Sequence, residues 1–278
     1  MHDSPTHPSA RFFSLCSLVI IQTLSAPAWA VGPDITDPRV IMKAVEDRAS
    51  GDLMKGRLVI NITDGNGRSR QRSVRSWSMD FDGGTRQLMI FESPSDVQNT
   101  GLLSVDYDGA KDDDQWLYLP SLHKATRISS GDKSGSFMGT DFTYSDMTQA
   151  DIDAYDYKLI DAEVKVGDDP CWLIESRPRT EKEKKQTGYL KSRVWVSKNK
   201  LMPIRVKAWV REGKKLKFLK FEDIRQVSGI WTAHKVSAQT RRNKKVESTT
   251  VLQFTEMTYN NSDVKPDIFT QRRLEKGL

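Results

Sequence analysis

The sequence predicts a mainly β protein: one antiparallel meander of about a dozen strands, opened by a helix and interrupted by short helical connections. Three observations carry this reading. Apolar and polar residues alternate with period two along most of residues 56–259. Tight-turn signals, such as Asp64-Gly65-Asn66-Gly67 and Asp82-Gly83-Gly84, separate the runs. A chain that is 37% hydrophobic and 29% charged, with mean hydropathy −0.58, has the composition of a soluble globular protein and not of a multi-span membrane protein. A meander of this length cannot stay flat. Either it closes into a barrel, or its apolar concave face is covered by the helix and the irregular segments.

The elements follow in order. Asp37 can cap and Pro38 suits a first helical position, so an amphipathic helix is expected from Pro38 to near Gly51. Strands are then expected at residues 56–62, 72–81 and 86–94, with Trp77, Met79 and Phe81 sharing a face. Residues 93–101 break the pattern. Strands resume at residues 102–107, 115–120 and 124–129. The second half repeats the theme at residues 157–166, 171–178, 192–198, 203–210, 216–224, 230–239 and 248–259. Ile204, Val206, Ala208 and Val210 alternate cleanly against Arg205, Lys207, Trp209 and Arg211, giving one apolar and one wet face. Residues 180–188 read as a solvated hairpin or loop, and Asp267–Gly277 as a short closing helix.

The first thirty residues read as an export signal: Arg11, the apolar run Phe12–Ala26, and a small-x-small site at Ala28-Trp29-Ala30. The expected organisation is therefore a signal peptide over 1–30, one domain over 31–278, and a periplasmic location. Removing 1–30 takes away one Arg and one Asp, so the mature balance stays at the +6 of the full 278 residues. A basic exported protein meets anionic membrane surfaces or lipid headgroups more readily than nucleic acid. Its basic runs lack the aromatic interleaving of nucleic-acid readers. Only Cys171 survives maturation, so no internal disulfide is available, and its strand-like surroundings suggest a buried small hydrophobe.

Chemistry-bearing motifs are missing. His123 and His234 have no neighbouring ligands at metal spacing, Asp106–Asp114 lacks the order of a calcium loop, and no H-E-x-x-H, paired-cysteine, G-x-S-x-G or G-x-G-x-x-G signature appears. The expectation is a non-enzymatic container with no catalytic residue, metal or cofactor. Gly135–Met147 stands apart: Phe137, Met138, Phe142, Tyr144 and Met147 sit among Gly, Ser and Asp.

That stretch carries a resemblance. Residues 115–147, with Trp116, Tyr118, Pro120, Arg127, Ile128, Phe137, Met138, Gly139, Asp141, Phe142, Tyr144 and Asp146, resemble the signature of the LolA-like outer-membrane lipoprotein-sorting family. The opening helix and the C-terminal Ile268–Glu275 fit as well. The resemblance implies a single curved antiparallel sheet forming an incomplete (half) barrel of about 10–12 strands, with lid helices over an apolar concave face. It also implies a periplasmic carrier of lipoprotein or lipid acyl chains. Members often accompany resistance-nodulation-division type transporters, so a non-carrying module docking on such a transporter is the alternative. The candidate cavity or lid side chains are Trp77, Met79, Phe81, Trp116, Tyr118, Phe137, Met138, Phe142 and Tyr144. Gly135–Met147 is expected to cross the cavity mouth, as a lid or as a static plug, with Asp141 and Asp146 binding backbone amides.

Overall fold

The computed structural model describes residues 32–109 and 111–276; the expected signal segment lies outside the described residues. Asp37 starts helix α1 (Pro38–Glu46) as expected. Its carboxylate accepts from the Arg39 and Val40 amides, and Pro38 occupies a position whose N–H would be unpaired anyway. The helix stops at Glu46, short of Gly51.

Every strand expected from the alternation forms. They are β1 (Leu53–Asp64), β2 (Ser69–Phe81), β3 (Gly84–Ser93), β4 (Gly101–Tyr107), β5 (Asp114–Leu119), β6 (Lys124–Arg127), β7 (Tyr155–Val166), β8 (Asp169–Pro178), β9 (Tyr189–Ser197), β10 (Met202–Val210), β11 (Lys215–Val227), β12 (Ile230–Arg242) and β13 (Lys245–Tyr259). They make one 13-stranded antiparallel sheet in the order β6-β5-β4-β3-β2-β1-β13-β12-β11-β10-β9-β8-β7. The first six strands step outward as hairpins, and the chain then crosses to the far edge and steps back until β13 pairs with β1. β6 and β7 do not pair, so the sheet is a curved half-barrel and not a closed one.

Residues paired across an antiparallel ladder share a face, so the register sorts the side chains. On the inner face of the first half, Leu58, Val74, Phe91 and Leu102 pack with Phe137 from the irregular segment. On the inner face of the second half, Trp172, Ile174, Val194 and Val196 pack under Ile41 of α1. The outer face is also covered. Trp77, Leu88, Leu103 and Tyr118 lie beneath Val264, Phe269 and Leu274 of the C-terminal segment, which ends in α3 (Gln271–Lys276). Further along that face, Cys171 packs with Met202 and Ile204 and has no exposed surface. Burial pushes its thiol up to about 11.

The closing helix α3 lies on the outer face, where its buried Leu274 belongs to the cluster of Trp77 and Tyr118. One expectation needs correction. Residues 180–188 are not a loop. They form α2 (Glu181–Thr187), because the Thr180 hydroxyl accepts from the Glu183 amide and Gly188 ends the helix in the left-handed conformation at φ 79°.

Leu274 also explains Gly101. A Cβ at Gly101 would lie 2.5 Å from Leu274 Cδ1 and 2.8 Å from Ile90 Cδ1, so the strand admits the leucine only without a side chain. Replacing Leu274 by Ala is expected to cost about 2–5 kcal/mol, read from urea unfolding. A loss below about 1 kcal/mol would show that the C-terminal segment does not hold this face.

Candidate functional site

The two inner-face clusters do not meet. Between them a groove of about 1940 Å³ stays open. Its floor comes from β9, β11, β12 and β13, where Val194, Leu219, Phe221, Val236, Leu252 and Phe254 line the space. The register fixes this: Leu219 pairs with Val206 and Ala238, Phe221 with Val236, and Val236 with Leu252, all on one face. Leu219, Phe221, Val236, Leu252 and Phe254 are only half-buried, unlike the core residues on either side. The walls are α1 with the following turn to Asp52, the chain from Phe142 to Ala154, and the inward side of α2.

Gly135–Met147 forms one end of that space. Phe137 and Phe142 are 2% and 4% exposed. Phe137 packs against Phe91 and edge-on to Tyr144, with centroids at 5.9 and 5.7 Å. The turn between them needs left-handed backbone at Met138 (φ 50°) and Gly139 (φ 71°), which a glycine adopts freely and a methionine does not. Several contacts hold it. The Phe137 amide donates to the Phe142 carbonyl at 2.8 Å, and Arg72 donates to the Met138 carbonyl. Gln115 Nε2 donates to the Tyr144 carbonyl at 2.9 Å.

Two carboxylates pin the segment to the opposite side of the sheet. Asp141, 6% exposed, accepts from the hydroxyls of Thr240, Ser248 and Thr250 on β12 and β13, and its own amide donates to Thr250 Oγ1. These are hydroxyl donors, not the backbone amides expected. Asp146 does accept from a backbone amide, that of Thr143 at 2.8 Å. It also accepts from Tyr189 Oη at 2.9 Å and from Lys217 Nζ at 3.1 Å, and Lys217 Nζ lies 2.6 Å from Tyr189 Oη. Burial, then Asp146, pushes the Tyr189 hydroxyl well above its ordinary value. In this arrangement the segment is buried and hydrogen-bonded as core is, and it packs as a static plug would.

At the groove's rim, Asp106 lies beside Asp113. Burial first, then Asp113, pushes the Asp106 carboxyl up to about 8, while the Gln149 amide donates to its Oδ2 at 2.6 Å.

The structure separates the predicted site residues. Phe142 lines the groove, and so does Phe81 at its rim. Phe137, Met138 and Tyr144 belong to the plug and its core. Trp77, Met79, Trp116 and Tyr118 are on the other face, under the C-terminal segment. The alternation put Trp77 and Met79 on an apolar face correctly, but both faces of this half are buried, so apolarity did not distinguish inner from outer. The floor residues were not singled out. Their signal was Leu219 and Phe221 sharing parity with Lys217, an apolar pair on a face that one buried cation interrupts.

A family model described as an uncharacterized protein matches residues 83–276. A DUF1329 family protein from Desulfovibrio piger is similar at 28% identity, TM-score 0.77, over 86% of this chain and 100% of that one. The chain belongs to the DUF1329-like family of that model, which spans well over half of it. A domain from Vibrio parahaemolyticus named for outer membrane lipoprotein sorting is similar at 27% identity, TM-score 0.77, over 86% of this chain and 98% of that one. A LolA superfamily protein from Nitrosomonas europaea, at 18% identity and TM-score 0.64 over 86% and 99% of the two chains, shares the fold of the family. No curated protein matches the chain.

Two outcomes test this description. Phe137→Ala should cost about 3–5 kcal/mol in urea unfolding, as a buried phenylalanine does; a near-neutral change would restore the lid. Asp106 gives a pH dependence. Between its ordinary value of 3.8 and about 8, the folded chain keeps a proton that the unfolded chain has lost. Stability therefore falls as pH rises through that window, and the loss is complete above it. The Tm advantage of Asp106→Asn over the parent should grow from about pH 5 to about pH 9; an advantage independent of pH would contradict the burial of this carboxyl.

Proposed function

We propose that this protein is a periplasmic carrier that seats acyl chains of a lipid or lipoprotein in the inner-face groove, for sorting toward the outer membrane. The observation that carries this is the floor. Leu219, Phe221, Val236, Leu252 and Phe254 stay half-exposed inside a groove of about 1940 Å³, while the sheet on either side is packed to near-zero exposure. Contiguous apolar surface left open in this way marks a binding site more often than a packing fault. An acyl chain laid on it gains about 0.8 kcal/mol for each buried CH₂.

The fold supports the reading, since proteins named for lipoprotein sorting and for the LolA superfamily share it. So does the apolar run before Ala28-Trp29-Ala30, which would deliver the chain to the periplasm. Phe142 and Phe81 are the two sequence-predicted residues that would touch cargo; Trp77, Met79, Trp116 and Tyr118 would not.

The test is organic extraction and mass spectrometry of the protein purified without detergent, beside the double variant Phe221→Ser, Leu252→Ser. Acyl species near one per chain, reduced about tenfold in the variant at an unchanged Tm, are expected. A parent protein free of acyl species, which also fails to take up a fluorescent acyl probe, would overturn the carrier and favour a module that only docks on a transporter.

A further inference from the structure

The chain carries +6, yet its groove does not share that sign. Twelve Asp and Glu side chains, Asp106 with its proton retained among them, line it against seven Lys and Arg. Most of these charges have partners or face open water, and alone they would say little. The inward side of α2 is different.

Gln186 is 9% exposed, lines the groove, and its Oε1 is buried with no hydrogen-bond partner among the described residues. A buried carbonyl left without a donor is destabilising unless a ligand or ordered water supplies one. Glu183 stands three residues earlier, on the same helical face, and also lines the groove. The lysines around it are engaged elsewhere: Lys182 pairs with Asp112 at 2.8 Å and Lys184 with Glu181 at 2.6 Å. No ion pair among the described residues reaches the Glu183 carboxylate. Burial, with Asp151 and Asp112 acting against Lys182 and Lys133, raises that carboxyl above its ordinary value. Both groups therefore lack the same thing, a donor, and one of them also lacks a positive charge.

We propose that Glu183 and Gln186 form a headgroup subsite for an amine-bearing amphiphile, whose ammonium donates to both oxygens while its chain runs along the groove floor. The inference rests on the carrier reading above and adds the chemistry of the cargo's polar end. An ammonium supplies three donors and one positive charge at a single atom, which satisfies the Gln186 carbonyl and the Glu183 carboxylate together. A carboxylate or phosphate head without an amine offers neither, and it would meet a net negative lining.

The test uses matched probes on the mature protein: dodecylammonium and dodecanoate, below their micelle concentrations at neutral pH, followed by calorimetry. The outer charge works against the proposal, because a +6 chain attracts the anionic probe and repels the cationic one. A preference for dodecylammonium of ~10-fold or more is expected, falling several-fold in Glu183→Gln with the Tm retained. High salt should shrink the preference in the parent more than in the variant. If dodecanoate binds as well or better, the headgroup proposal fails while the carrier stands. If neither probe binds, the carrier reading itself fails. A preference that survives Glu183→Gln unchanged would remove this subsite.

Discussion

An open sheet of thirteen strands has an inner face that no second sheet covers, and the rest of the molecule is shaped by that exposure. A closed barrel of this size would fill itself with its own side chains or enclose a lumen. Here the ladder stops at β6 and β7, so the apolar inner face must be covered by whatever the chain can spare. It spares one short helix for the second half and one irregular segment for the first. What they leave uncovered is the groove.

The irregular segment does its part only because it is tied across the sheet. A loop of glycines and small polar residues has much conformational freedom to lose on ordering. Asp141 and Asp146 offset that cost at two points. Asp141 gathers three hydroxyls from β12 and β13, and Asp146 joins β9 and β11 through Tyr189 and Lys217. Since the segment follows β6 and its anchors lie on strands from the second half, side chains tie the two halves of the sheet together across the inner face, although β6 and β7 share no ladder.

Much of this was legible in the sequence. Period-two alternation marked all thirteen strands, and Asp37-Pro38 marked the first helix, because both signals are local. The α2 helix was equally local, in Thr180 with Glu183 three residues on and Gly188 behind, and a run of lysines hid it by resembling a solvated loop. The groove was harder. Trp77, Met79, Trp116 and Tyr118 look like cavity residues on any strand-by-strand reading, and their exclusion depends on the C-terminal Leu274 and Phe269, more than 150 residues distant from most of them. Which of two apolar faces holds a space is a property of what else lands on them. No periodicity encodes it.

The unpaired edges have a mechanical meaning as well. A free edge invites pairing with another chain, and both edges here are blunted: β6 is four residues long and carries Lys124 and Arg127, while the pairing of β7 with β8 is broken twice, between Leu159 and Asp161 and between Asp161 and Val164. More is gained than solubility. In a closed barrel the lumen's width is fixed by the number of strands and their stagger. In this sheet no ladder closes the circle, so the bore of the groove is set not by strand count and stagger but by the side chains at the plug and under α1.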